Sequence, residues 1–591
     1  MGMTDVLFVT ISAQPSLHQE INGSLLLATK LLRDGFEVKV LRFGEIESFE
    51  KDYPKFIGDI TTRILEIAPK YVSFYSLCNF YHIVLGIARE LKSQSPKTYT
   101  VLGGPQATLT AFDTLKAMDF IDFVCTGEGE NTVVPFFRAL LRENGKGLSD
   151  IPGLFYRQDG GIIFSKCQVP QTDVNTLPYW DDSLLLPSMG VGESDISSDT
   201  YFMPIDTGRG CPYNCTFCST SFVWNRKYRL KSAKRIIEDF QYFNRKFGIR
   251  SFDVAHDAFT VNEKLVTELC DHIKESGLDI KWKCSTRIDC ISKELILKMK
   301  EAGLSHISLG VESGSRRMQE SLKKRLDLTA IKPMVQFLQE NGIEVTLLFM
   351  YGFPDETEEE LNETLELCFS IMDVGRYHLC MFYCLFDPCT ELTASVYDRL
   401  VFDPTVQSIT DGVFGFTEES DMIEGNKSIF PFFHHLKTPV RDNYQCLHYL
   451  SRLYESVSDV LSQVRKRYDG DNLWFYRDFY EANRSILYDF NVANQVMGED
   501  PLQMIVNLLN HIHFPNLVQV QAIMQFKKDM LIVLRSKEDI SIQRCYDFNY
   551  KEYRENRPLE ELSVASSELL LKKENGQSFV RLLQIITHPS T

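Results

Sequence analysis

Twice along this chain short apolar runs alternate with stretches of helical periodicity, and that alternation leaves few folds open. From Asp5 to about Gly145 the strand candidates are 6–11, 37–41, 71–75, 99–103 and 123–125, with helices expected over 23–34, 58–68, 82–94 and 132–143. Such a pattern builds a parallel sheet covered by helices on both faces. Residues 1–150 are therefore expected to form an α/β, doubly wound, Rossmann-like domain. From Tyr201 to about Leu392 the alternation returns, with strands expected near 203–207, 251–255, 281–286, 306–311, 344–350 and 378–385. Six strand–helix units over 201–392 suit a partial (β/α)6 barrel of the TIM type, in which chemistry gathers at the strand carboxyl ends. Between them, 151–200 is a connector holding a hairpin that turns on Asp159-Gly160, and its glycine- and acid-rich stretch 190–199 is expected to be mobile. Residues 393–591 read as a mixed α+β domain. An irregular acidic stretch, 411–425, precedes helices over 443–467, 472–488 and 501–511. Strands then follow over 530–535, 540–546, 566–572 and 579–586, with a hairpin turn at Lys573-Glu-Asn-Gly576.

The second block opens on Gly208-Arg-Gly-Cys-Pro-Tyr-Asn-Cys-Thr-Phe-Cys-Ser219, which sets Cys211, Cys215 and Cys218 in a C-x3-C-x2-C array. Iron–sulfur clusters are held by thiolates. Three thiolates for four irons leave one iron open to a small molecule. The plainer alternative is three buried cysteines in a loop, which Gly208, Gly210 and Pro212 make awkward. With its aromatic Phe217, the array resembles the signature of the radical S-adenosylmethionine (SAM) enzymes. That resemblance implies a 4Fe–4S cluster on Cys211, Cys215 and Cys218 that binds SAM at its open iron and cleaves it to a 5′-deoxyadenosyl radical.

Upstream, the expected strand ends of the first block carry Ser73 to Asn79, Gly103-Gly-Pro-Gln-Ala-Thr108 and Thr126-Gly-Glu-Gly-Glu130. Ligands of doubly wound sheets bind outside these ends. Followed by the cysteine array, these loops resemble the cobalamin-binding domain of one branch of radical SAM enzymes. The resemblance assigns cobalamin contacts to Ser73, Ser76, Asn79, Gly103, Gly104, Gln106, Thr108, Gly127, Glu128 and Gly129. Where many relatives carry histidine this chain has Gln106. The Asp-x-His-x-x-Gly segment that supplies an axial imidazole elsewhere is absent, so cobalt is expected to lack a histidine ligand, its lower face looking at residues 76–81. A flavodoxin-like domain without a ligand is the alternative.

In the barrel, the same resemblance assigns SAM contacts to Phe217, Asp257, Ser285, Arg287, Glu312, Ser313 and Tyr351, with Glu312 on the ribose hydroxyls. Several have structural alternatives. Asp257 could cap a helix, and Arg287 with Asp289 could be an ion pair. Thr357-Glu-Glu-Glu360 reads as a capping box. The basic run Arg226, Lys227, Arg229, Lys231, Lys234 and Arg235 is either a solvated helix start or a docking face for an acidic carrier. His434 and His435 read as structural, and Cys384 and Cys389 are too few for a second cluster.

A net charge of −17 argues against a general nucleic-acid partner. The 15 cysteines without a signal-peptide pattern fit a reducing cytoplasmic setting, and no apolar run reaches membrane-spanning length. The resemblance implies a cobalamin-dependent C-methyltransferase acting on an unactivated carbon of a peptide or natural-product substrate, fed by a flavodoxin- or ferredoxin-type reductant. A non-methylating cyclase or rearrangement enzyme is the alternative within the branch. A cobalamin sensor or electron-transfer protein is the alternative outside it.

Overall fold

The computed structural model describes residues 4–11, 21–43, 53–75, 77–165, 169–181, 183–184, 202–372, 374, 377–403 and 419–444. In the C-terminal part it describes 447, 460, 464–465, 472–487, 502–513, 517–535, 540–554, 562, 565–574 and 577–587. Ser76, residues 190–199, most of 411–425, most of 443–467 and the turn residues 575–576 lie outside them.

The N-terminal sheet is built from β1 (Val6–Ile11), β2 (Val38–Phe43), β3 (Tyr71–Tyr75), β4 (Tyr99–Gly103) and β5 (Phe123–Cys125) in the order 2-1-3-4-5, all parallel. Val6 pairs with both Val38 and Tyr71, so the strand order reverses across β1, and the crevice of such a sheet opens between β1 and β3. β1 is buried at every position, as a strand covered on both faces must be. The hairpin of β6 (Leu154–Gln158) and β7 (Gly161–Phe164) joins antiparallel to β5, extending the sheet to seven strands. The hairpin thus belongs to the N-terminal sheet.

Pro105–Ala117, which patterning leaves as a loop, is a helix that starts on Gly104 at φ +95° with Pro105 in its first turn. Its three threonines and three alanines blur its apolar period.

In the second sheet, β8 (Met203–Asp206) leads into a two-residue ladder, β9 (Gly208–Arg209) against β10 (Arg229–Leu230). β11 (Ser251–Ala255), β12 (Lys281–Arg287), β13 (Leu304–Glu312), β14 (Glu344–Tyr351) and β15 (His378–Tyr383) then follow in chain order, all parallel to β8. β8 and β15 are the edges, so the six strands form an open, partial barrel. β14 and β15 alternate. In β14, Val345, Leu347, Phe349 and Tyr351 are buried, while Thr346, Leu348 and Met350 are half-buried. The helices between strands carry sequence-legible ends: Ser232, Asn262 and Ser292 accept N-terminal N–H groups, and Gly248 and Gly277 close helices at positive φ. The Thr357–Glu360 capping box is present in both directions, at 2.9 and 3.3 Å.

After the barrel the chain returns to the N-terminal domain. Ile423, Ile429, Phe430 and Phe433 enter its core, and Tyr53 and Arg89 both bond Glu419, at 3.0 and 2.6 Å. The C-terminal part has helices Asn472–Ala482, Leu502–His511 and Leu517–Arg535, then the strands Ile540–Tyr546, Ala565–Glu574 and Gln577–Thr587 paired in one antiparallel sheet. Residues 530–535 are thus the end of a helix rather than a strand. A short apolar run fits either state by itself, and Val520, Ile523 and Met524 upstream bury one helical face that carries the run along. No helix among the described residues is long and apolar enough to cross a membrane.

Candidate functional site

The cysteine loop leaves β8 and is shaped by its glycines. The β9–β10 ladder brings the Arg229 carbonyl against Gly208 so closely that a Cβ there would collide with it. Gly210 sits at φ +77° with the Lys227 carbonyl in the place a Cβ would take. These two contacts fix the loop that presents Cys211, Cys215 and Cys218. Burial pushes the Cys211 thiol up to about 11 and raises Cys215 and Cys218 as well. Three such thiols become ligands only beside positive charge, which an iron–sulfur cluster supplies at contact distance. Among the described residues no three His, Cys, Asp or Glu side chains converge as a site for one ion. A four-iron cluster instead takes its thiolates on separate irons, and the donor set fits it.

Arg287 lies along this loop. Its guanidinium stacks over Tyr213 at 3.9 Å, bonds Asp289 at 2.7 Å and the Lys324 carbonyl at 2.6 Å, and approaches Cys215 Sγ at 4.0 Å. The ion-pair reading of Arg287 and Asp289 is therefore realised, and the pair also faces the cluster loop. Tyr213 in turn shares a hydrogen bond with Cys290 at 2.9 Å.

The strand ends of both sheets open on one cavity of about 750 Å³. Ser73, Gly103, Gly104, Thr108, Gly127, Glu128 and Gly129 line its N-terminal wall. Gly208, Gly210, Thr220, His256, Asp257 and Ser285 line the barrel side. Thr108 Oγ1 donates to the Gly104 carbonyl and accepts from the Gly127 N–H, at 2.9 and 3.0 Å, so the two glycine loops are held together. A Cβ on Gly103 would meet nothing within 4 Å; the fold itself does not require glycine there, whereas a ligand lying on the backbone would. The N-terminal wall presents no histidine among the described lining residues. The open glycine backbone of this wall fits a ligand such as cobalamin.

Glu128 belongs to this wall, and its carboxylate is engaged by Arg229 and by the Thr172 N–H at 2.9 Å. Glu130 takes Arg209 at 2.9 Å, and Arg209 also bonds Asp206. The acids of the Gly-Glu-Gly-Glu turn therefore clamp the two domains together. Sequence reasoning missed Arg209 and Glu130 because their partners lie in different domains. The basic run resolves in the same way: Arg229, Lys231 and Arg235 are paired with Glu128 and Asp239, leaving Arg226, Lys227 and Lys234 exposed.

Of the expected contacts, Gln106, Tyr351, Ser313 and Asn79 lie outside the cavity wall, and Phe217, Glu312 and Asp257 have further partners. Gln106 is buried and donates to the Ile429 carbonyl at 2.8 Å, because helix 105–117 turns that side chain toward the returning segment rather than the cavity. Tyr351 is fully buried against Tyr383, since the strand alternation aims it at the helices. Ser313 is buried and bonded to Thr364 at 3.1 Å. Asn79 lies in the turn Cys78–Phe80, outside the cavity wall, with its Oδ1 buried. Phe217 packs on Phe353 at 6.3 Å. Glu312 holds φ +72° at a bulge in β13 and pairs with buried Lys324 at 2.8 Å. Asp257 is not a cap: the Ala258 N–H is taken by His256 Nδ1 at 3.0 Å, and burial raises the Asp257 carboxyl beside Thr220. His434 bonds the Phe430 carbonyl and His435 bonds Asp442, at 2.8 and 3.0 Å, both structural as read.

A three-cysteine loop on the first strand–helix turn of a partial barrel, opening on a cavity shared with a Rossmann-like sheet, defines a class of iron–sulfur enzyme. Residues 205–368 match the radical SAM superfamily. Over 338 residues the chain is 30% identical to an uncharacterized methyltransferase of Pyrococcus horikoshii, a match covering 57% of this chain and 70% of the relative. An anaerobic magnesium-protoporphyrin IX monomethyl ester cyclase of Rubrivivax gelatinosus is 27% identical over 48% of this chain and 50% of its own length. Among solved structures, the radical SAM methyltransferase TsrM of Kitasatospora setae, with cobalamin and a [4Fe-4S] cluster bound, superposes with a TM-score of 0.54 at 16% identity over 67% of this chain and 78% of its own. The cobalamin-dependent enzyme OxsB gives 0.54 at 15% identity over 90% and 80%.

The chain belongs to the radical SAM superfamily. Its fold is that of the cobalamin-dependent branch. The matched region spans between half and 70% of these two curated relatives.

Proposed function

We propose that the protein is a cobalamin-dependent radical SAM C-methyltransferase acting on a small-molecule or peptide substrate. The observation that carries this reading is the single cavity shared by the cluster-bearing barrel and the glycine-lined end of the N-terminal sheet. When bound, the cluster with SAM supplies a hydrogen-abstracting radical and cobalamin supplies a methyl carrier.

The chain's own residues bind and orient. Cys211, Cys215 and Cys218 hold the cluster. Arg287 places a fixed cation beside Cys215. Glu312, with one oxygen on Lys324, has the other for SAM ribose hydroxyls. Gly103 and Gly104 let cobalamin lie on the backbone, and Ser73, Thr108, Gly127 and Gly129 shape its rim. Asp257 and Ser285 face the same cavity from the barrel ends. An acidic flavodoxin- or ferredoxin-type reductant suits the exposed Arg226 and Lys227 beside the cluster loop.

The test is anaerobic reconstitution with iron, sulfide, SAM, reductant and cobalamin. The expected result is bound iron, a cobalamin spectrum without histidine ligation, and 5′-deoxyadenosine release that is lost in Cys215→Ala. Methyl label from SAM should reach a substrate. The similarity to the Rubrivivax cyclase supports one other reading, a non-methylating reaction on the same site. SAM cleavage without methyl transfer to any substrate would select it.

A further inference from the structure

Beyond the last barrel strand the chain runs Leu385-Phe-Asp-Pro-Cys-Thr390, and Asp387 stands between two loops that line the shared cavity. Its Oδ2 accepts a hydrogen bond from Ser219 Oγ at 2.8 Å, one residue past Cys218. The same carboxylate takes the thiol of Cys78, in the turn that follows β3 of the N-terminal domain. Leu77 and Thr220, the chain neighbours of these two donors, both line the cavity. One carboxylate therefore grips the N-terminal wall and the cluster wall at once.

Asp387 is itself held in place. Its carbonyl accepts from Thr390 Oγ1 and Thr393 Oγ1 at 3.1 and 2.7 Å, and Thr390 caps the helix Glu391–Val396. From that helix the Leu392 N–H donates to the Thr216 carbonyl at 2.9 Å, so the cluster loop is pinned at two points. Cys389, at φ +64°, reaches the Leu109 carbonyl at 3.4 Å in helix 105–117 of the N-terminal domain. The segment 387–393 is thus a strap across the domain boundary.

Burying a carboxylate beside a hydroxyl and a thiol costs more than packing an apolar side chain there, and burial raises its pKa accordingly. Fold stability alone does not account for an acid at this point. Its geometry between the two loops does.

We infer that Asp387 is a positioning residue that fixes the cobalamin-side turn at Cys78 against the cluster loop at Ser219, so that occupancy of one cofactor site is felt at the other. The inference rests on the two-cofactor reading above. No bond is made or broken at Asp387.

The experiment uses the reconstituted full-length chain and the variants Asp387→Ala, Asp387→Asn, Cys78→Ala, Ser219→Ala and the Cys78→Ala/Ser219→Ala double. Cobalamin affinity is measured by its visible spectrum with and without SAM, and the reduced cluster by electron paramagnetic resonance with and without cobalamin. Iron content reports the integrity of the loop. In the wild type SAM should change cobalamin affinity by about fivefold or more, a typical coupling between sites. Asp387→Ala should keep its iron and lose that coupling to within about twofold. Asp387→Asn, which retains an acceptor for Ser219, should recover part of it. The two partner variants should be non-additive, because each breaks the same bridge. Full coupling in Asp387→Ala with iron intact, or additive partner effects, overturns the inference while leaving the functional reading standing. A wild type that binds no cobalamin overturns both.

Discussion

Arg209 Nη2 donates to Glu130 Oε1 at 2.9 Å, tying the residue before the cluster loop's Gly210 to the Gly-Glu-Gly-Glu turn of the N-terminal domain. Both side chains are nearly buried, at 12% and 8% exposure, so neither charge is well solvated without the other. Removing one partner of such a pair costs about 3–5 kcal/mol, while removing both leaves only the partly exposed Asp206 without its arginine. Glu130→Gln and Arg209→Met should each lower the urea midpoint markedly. The double variant should lose less than the sum, in a cycle measured on the reconstituted protein. Additive losses would mean the pair does not act as a clamp.

Two glycines of the site should respond in opposite ways. Gly210→Ala meets both a positive φ of +77° and the Lys227 carbonyl, so the loop must move, and bound iron should fall with stability. Gly103→Ala meets nothing within 4 Å, so the unfolding midpoint should be unchanged. Its new methyl would project into the cavity, and cobalamin affinity, read from the visible spectrum, should drop about tenfold or more. A Gly103→Ala protein that binds cobalamin normally would remove the backbone-approach argument.

These contrasts mark how far the sequence could be read. The two strand–helix blocks were legible because periodicity and capping residues are local: the Thr357–Glu360 capping box stands where its spacing predicts. The cluster loop was legible because its cysteines, glycines and aromatic are contiguous. Arg209, Lys324 and Asp387 were not, since each acquires its meaning from a partner on a different element or in another domain. Gln106 and Tyr351 were misplaced for a related reason. A residue's position near a strand end is local information, but whether its side chain faces cavity or core depends on helix phase and strand alternation.

Glu312 and Lys324 meet at 2.8 Å in the space left by Gly310, where a Cβ would lie 2.6 Å from the carboxylate oxygen. Glu312→Gln keeps the shape and a hydrogen-bonding oxygen for Lys324 but loses the charge that favours two ribose hydroxyls. SAM affinity should fall about tenfold, or about 1.4 kcal/mol, with iron content unchanged. Equilibrium dialysis with labelled SAM reads this directly, and unchanged affinity would remove Glu312 from the SAM site.

The pH dependence of stability should expose Glu356. Burial pushes its carboxyl up to about 8 from an ordinary 4.5, against the pull of the Gly352 and Phe353 N–H groups at 2.6 and 3.3 Å. Between those values the native chain holds a proton that the unfolded chain has released. Stability from this group is thus fully present below the unfolded pKa and falls as pH rises through the folded one. Glu356→Gln keeps an acceptor for Gly352 and cannot titrate. Its stability relative to the wild type should therefore rise between pH 6 and 8 by about 1.4 kcal/mol for each pH unit at most, measured as urea midpoints on both proteins side by side. A constant difference across that range would mean that Glu356 is already ionised in the folded chain, and that water or a cation reaches it between β14 and the helix Glu358–Met372.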